Sequence, residues 1–170
     1  MNSRRLQRTG IAGLVWGILL AIAYFSTFVF AGSTSSGSAW ILGVFAILAT
    51  IAFIAMVYFL GFVLNNEIGR VACYAGIGLA FLLTLMQFFQ LGGATLQRIL
   101  SVLLGISIVA IGVFALMQDE SDAWRGFAVL LIIAGASKAI IIGDIIYPLI
   151  ACAAGIVLFV AMNVAAKRAA

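Results

Sequence analysis

The sequence has no histidine, a single proline and two cysteines, and its 170 residues carry only nine basic and five acidic side chains. Each scarcity closes a class of function. Without histidine there is no histidine-ligated haem, no histidine-bearing zinc or copper site and no triad built on imidazole. Two cysteines are too few for a closed structural metal site or a disulfide framework. Charged residues make up 8% of the chain, against about 25% in an ordinary soluble domain. So few charges cannot cover a surface that faces water. Disordered chains are polar and rich in charge, so that class is excluded too.

What the chain does contain is hydrocarbon. It is 66% hydrophobic, and its mean hydropathy is +1.30. Apolar runs at about 10–31, 39–63, 71–90, 99–117, 125–142 and 145–166 read as six helices. A span needs about 20 apolar residues to cross a hydrocarbon core about 30 Å thick. Five runs meet that length, and the run at 125–142 is short. The expected fold is all-α: one integral membrane domain over residues 1–170, a bundle of six transmembrane helices. Pro148 falls in the first turn of the last helix, where a missing N–H costs little.

The few charges set the orientation. With the N-terminus in the cytoplasm, Arg4, Arg5, Arg8, Arg70, Arg125, Lys167 and Arg168 lie inside, and only Arg98 and Lys138 lie outside. That bias predicts a cytoplasmic (inner) membrane protein with both termini cytoplasmic. The net charge of +4 therefore reads as topology, and no nucleic-acid partner is expected. Trp40 and Trp124 open helices and are expected as interfacial anchors. The small polar loop 32–38 suits an outer turn. A cleaved secretory signal ending near Ala31 fits the first run less well, since such apolar segments run about 7–15 residues.

The chain also compares with itself. Residues 72–79 and 151–158 are identical at six of eight positions, and Cys73 and Cys152 fall in register. Helices 2 and 5 echo each other more faintly at Trp40 and Trp124. Helices 1 and 4 share Gly17-Ile18 and Gly105-Ile106. Three helices repeated as three would enter the membrane from opposite sides, an inverted 3+3 repeat with halves 1–92 and 93–170, as in many transporters. Chance matching in an Ala/Gly/Ile/Leu vocabulary is the competing explanation.

Helices in lipid associate through close packing of small residues. Gly13 and Gly17, Gly76 and Ala80, and Ala151 and Gly155 predict a compact centre of helices 1, 3 and 6. Helix 2, with Phe45, Phe53, Tyr58, Phe59 and Phe62, is expected to face lipid. The same small-residue surfaces would serve a homo-oligomer. The cysteines differ in depth by roughly 15–20 Å, so they read as small packing residues and not as a disulfide.

Polar residues inside a bilayer are costly and mark candidate sites. Here they gather in the outer half: Ser26, Thr27, Thr84, Gln87, Gln90, Ser101, Ser137 and Lys138, with Asp144 at the adjacent turn. Thr84 and Gln87 share a helix face at i, i+3. Deeper in, Thr50 and Ser107 are nearly alone. The pattern predicts an outward polar vestibule over an apolar constriction, with Thr84, Gln87, Ser137, Lys138 and Asp144 contacting a solute. Lys138 is the one full charge inside a predicted span; snorkelling to headgroups or a turn-closing pair with Asp144 is the simpler account of a basic residue this near a helix end. No carboxylate pair, nucleophile dyad, metal-ligand cluster or phosphate loop is present, so no enzyme, cofactor or metal is expected.

The Arg-led runs at 98–105 and 125–131 resemble the six-span HdeD-type acid-resistance membrane proteins, in hydrophobic pattern and over part of the chain. No diagnostic motif accompanies that likeness, and no family is assigned from it. From the residues themselves two functions are expected. The first is a channel or facilitator for a small neutral or weakly anionic solute. The alternative is a non-catalytic accessory or scaffold subunit of a larger membrane complex, its partners being the lipid bilayer and other membrane chains.

Overall fold

A computed structural model describes residues 3–29, 36–118, 121–140 and 146–168. They form six helices: α1 Ser3–Val29, α2 Ser36–Val63, α3 Glu67–Phe88, α4 Gly93–Leu116, α5 Asp122–Ala139 and α6 Ile146–Arg168. All but α5 are long and apolar enough to cross a membrane. Apolar side chains also line the outside: Ile18, Ile106, Ile156 and Val160 are each about half exposed. An outer surface of that kind suits lipid and, with five helices of spanning length, is consistent with a multi-pass membrane helix bundle.

Helix ends follow local chemistry. Asn66 accepts a hydrogen bond from the Ile68 N–H at the start of α3, and Ser121 accepts one from the Trp124 N–H at the start of α5. These are side-chain caps of backbone N–H groups that lack an intrahelical partner. At the far end of α3, the Leu91 N–H reaches the Met86 carbonyl and the Gln90 N–H reaches that of Gln87. This is a Schellman closure with Gln90 at φ 53°, where glycine is the usual occupant. Five helices start earlier than the apolar runs suggest, α1 and α4 by the most. α1 begins at Ser3, because arginine is a good helix former; the basic cluster marks the end of the apolar span and not of the helix. α4 begins at Gly93 rather than near 99 for the same reason, its first turns being polar yet helix-compatible.

Each helix packs on its neighbours in sequence, and α6 closes on α1; among the described residues no other helix pair comes close. All neighbours run antiparallel. Trp16 meets Phe53 across α1 and α2, Thr50 meets Thr84 across α2 and α3, and Gly76 meets Ser107 across α3 and α4. Both described termini therefore lie at one end of a six-membered ring, here the lower end. The C-terminal ends of α1, α3 and α5 lie at the upper end. Six of the seven arginines and Lys167 belong to the lower end; Arg98 and Lys138 belong to the upper.

The ring order corrects the expected centre. α1 and α6 do pack tightly, but α3 touches neither of them. α2 is less lipid-facing than its aromatics suggest, for Phe53, Met56, Val57 and Leu60 are all buried. Tyr58 and Phe62 keep the predicted exposure. Aromatic content alone could not distinguish the two faces of this helix.

Two seams are closed by backbone proximity. A methyl group at Gly155 would strike the Gly13 carbonyl of α1, and one at Gly17 would sit 3.0 Å from the Cys152 Cα. Across α4 and α5, a methyl at Gly105 would lie 2.7 Å from the Gly135 oxygen, and one at Gly135 2.6 Å from the Val109 nitrogen. Small residues here let helix backbones touch, the main source of cohesion where lipid removes the hydrophobic drive. Cys73 is buried beside Gly61 of α2, whereas Cys152 is half-buried against α1. They are free and belong to different seams.

Trp124 is not an interfacial anchor. It is buried at 1% exposure, and its indole N–H donates to the Ala115 carbonyl at 2.6 Å. It therefore serves the C-terminal end of α4, which has carbonyls to satisfy. Trp40, at 71% exposure, does project outward at the upper end.

Candidate functional site

A ring in which no helix crosses the middle must fill its axis with side chains or leave a hole. In the lower half it fills it. Met56, Leu60, Ile108, Leu131 and Leu158 are each at most 1% exposed and belong to one continuous apolar cluster. The upper half holds a cavity of about 160 Å³ to which all six helices contribute. At about 30 Å³ per molecule in the liquid, that is room for roughly five waters or one small solute.

The floor is apolar: Trp16 of α1, Phe53 of α2, Leu83 of α3 and Leu104 of α4. Trp16 is itself 1% exposed and is held by Phe53, with ring centroids 5.5 Å apart. Polar groups enter above it. The Thr50 and Thr84 hydroxyls lie 2.9 Å apart, and each also approaches the carbonyl one turn back on its own helix, Ala46 and Ala80. A hydroxyl has one proton. One threonine thus donates to its own helix and accepts from the other, which stitches α2 to α3 at the cavity wall.

Gln87, Lys138 and Tyr147 complete the lining near the upper end. Gln87 follows Thr84 by three residues on the same helix face, as the spacing predicts. Lys138 is one residue from the end of α5, closer to the helix terminus than the predicted span placed it. There its positive charge complements the negative end of the helix dipole. Its ammonium sits 5.0 Å from the centre of the Tyr147 ring, a cation–π contact joining α5 to α6 across the mouth.

Of the residues expected to meet a solute, the structure brings Thr84, Gln87 and Lys138 to one cavity. Ser137 does not line it; its hydroxyl donates to the Ala134 carbonyl at 2.8 Å. Asp144, the acidic pair at 119–120 and residues 32–35 of the outer loop lie outside the described residues. The sequence noted Thr50 as an isolated polar interruption, and only the α2–α3 register reveals its partner. Tyr147 and Trp16 carry no signal in the sequence that separates them from ordinary apolar lining.

Among the described residues the lining offers hydroxyls, an amide, a phenol and an ammonium group, and no carboxylate or thiol. Such a set hydrogen-bonds and attracts partial negative charge. Among the described residues no group of three or more His, Cys, Asp or Glu side chains could hold a metal ion. No protein-family model, curated protein or solved structure matches the chain.

Proposed function

We propose that the protein is a small, non-enzymatic membrane facilitator that admits a small neutral or weakly anionic solute to its upper cavity. The observation that carries this reading is the convergence of Thr50, Thr84, Gln87 and Lys138, from three different helices, on one cavity above an apolar floor. Intramembrane polar groups are costly and ordinarily point to an internal path. Passage beyond Trp16 and Phe53 requires those rings to move apart, so transport would proceed by rearrangement and not through an open pore. The inverted 3+3 repeat fits this reading in part. The ring order maps onto itself when α1, α2 and α3 are replaced by α4, α5 and α6. In keeping with that exchange, Gly76 of α3 faces α4 while Gly155 of α6 faces α1. Gly17 and Gly105 do not obey it, since the first faces α6 and the second α5.

Stopped-flow light scattering of proteoliposomes exposed to glycerol, urea or sodium formate gradients tests the proposal. Facilitated flux of at least one of these probes is expected, with the formate component reduced in Lys138→Met. Rates equal to those of protein-free vesicles for all three would sink it. The solid lower half is the observation that favours the accessory-subunit alternative. Isolation of the chain in a persistent hetero-complex, together with absent flux, would establish that alternative.

A further inference from the structure

The geometry points to a lipid site on the outer face of the α2–α3 seam, where one phospholipid of the upper leaflet inserts an acyl chain beside the central cavity. Two crevices lie along this seam. The upper, of about 390 Å³, is bordered by Trp40, Gly43, Gln87 and Gln90. The lower, of about 310 Å³, is bordered by Ile51, Ile54, Phe81 and Leu85. Ile47 and Phe88 belong to both, so the two form one continuous groove.

Length and polarity identify the occupant. From Trp40 to Ile54 the groove follows α2 for about 21 Å at 1.5 Å per residue. Half of a bilayer, headgroups included, is about 20–22 Å. The groove thus spans one leaflet. Its upper end presents two carboxamides and an indole, the chemistry that meets glycerol, ester and headgroup oxygens. Its lower end is hydrocarbon, apart from Thr50 and Thr84, whose hydroxyls are bonded to each other. A polar-to-apolar gradient over one leaflet's depth matches a two-part amphiphile and not a second helix, which would present apolar side chains along its whole length. The rim is already outward-facing, with Ile51, Phe81 and Phe88 each more than half exposed. Gly43 contributes a bare patch: a methyl group there meets nothing within 4 Å.

The groove has a second property. Thr50 and Thr84 border both the lower crevice and the central cavity, and Gln87 borders both the upper crevice and that cavity. A lipid in the seam would therefore lie one hydrogen-bonded threonine pair away from the cavity. This site does not depend on which solute, if any, the cavity admits.

The test uses the full chain in nanodiscs containing a phosphatidylcholine with a photoreactive diazirine midway along one acyl chain, with adducts mapped by mass spectrometry. Adducts are expected to concentrate at residues 47–54 and 81–89, several-fold above those at Ile133 and Val160, which are exposed to a similar degree at 45% and 48%. Gly43→Phe, which fills open space, should lower the seam adducts several-fold and leave those at Val160 unchanged. Leu85→Trp blocks the lower crevice independently and should do the same. Even labelling of all exposed apolar faces would overturn the site. So would seam labelling indifferent to both variants, or a seam shielded from lipid by a second copy of the chain. None of these readouts involves solute flux, so this site and the facilitator reading fail separately.

Discussion

Gly155→Val should open the ring at the seam that joins its first and last helices. The added Cβ would collide with the Gly13 carbonyl and lie 3.4 Å from the Gly17 Cα, so backbone stands where a side chain would have to yield. The helices must separate. A gap of about 0.5–1 Å forfeits about a quarter to a half of each contact well of about 0.1–0.2 kcal/mol; a patch with the 40–60 or so contacts of one buried leucine then loses about 3 kcal/mol. Overpacking of well-filled interiors costs typically about 1–3 kcal/mol, which puts this site at the upper end of that range. Gly78→Ala is the control, because a methyl there meets nothing within 4 Å. With no collision, its higher helix propensity should stabilise by roughly 0.5–1 kcal/mol. The assay is unfolding in mixed micelles titrated with dodecyl sulfate, read through the fluorescence of the buried Trp16 and Trp124. Equal stability of Gly155→Val and wild type, or equal damage from Gly78→Ala, would refute backbone contact as the ring's closure.

Two further outcomes follow from the polar groups. A double-mutant cycle of Thr50→Val and Thr84→Val should give a coupling of about 0.6 kcal/mol, the usual size for an interhelical hydrogen bond in a membrane; additive effects in the same unfolding assay would mean the 2.9 Å approach carries no energy. The Ser107 hydroxyl is buried with no hydrogen-bond partner among the described residues. Ser107→Ala should therefore stabilise by about 1 kcal/mol, the low end of the cost of an unsatisfied buried group, and a loss of stability would reveal a partner for it.

How much of this was legible beforehand depended on whether a feature is local or relational. The number of helices, the weak fifth one and the position of Pro148 follow from runs of residues, and they hold in the structure. The polar upper half was legible because Thr84 and Gln87 share one helix face by spacing alone. Ring order was not. Small-residue stripes on α1, α3 and α6 are alike in sequence, and only α1 and α6 meet, because which stripe faces which helix is set by the whole ring. Trp124 misled for a related reason. An indole at a helix start suits a membrane interface, but here the end of α4 comes back to within hydrogen-bonding reach of it. Thr50 likewise became a site residue only through its register against α3.

The central claim is a water-accessible polar cavity, open at one end and sealed beneath by the apolar core. With Cys73 and Cys152 replaced by alanine, single cysteines placed at Thr84, Gln87, Ile108 and Leu131 report it through reaction with a charged, membrane-impermeant thiol reagent. The cysteines at 84 and 87 should react, and only from the side of the membrane facing the upper end. Those at 108 and 131, inside the buried cluster, should stay unreacted from either side. Unreactive cysteines at 84 and 87, or labelling at 108 and 131 at the same rate, would contradict the account.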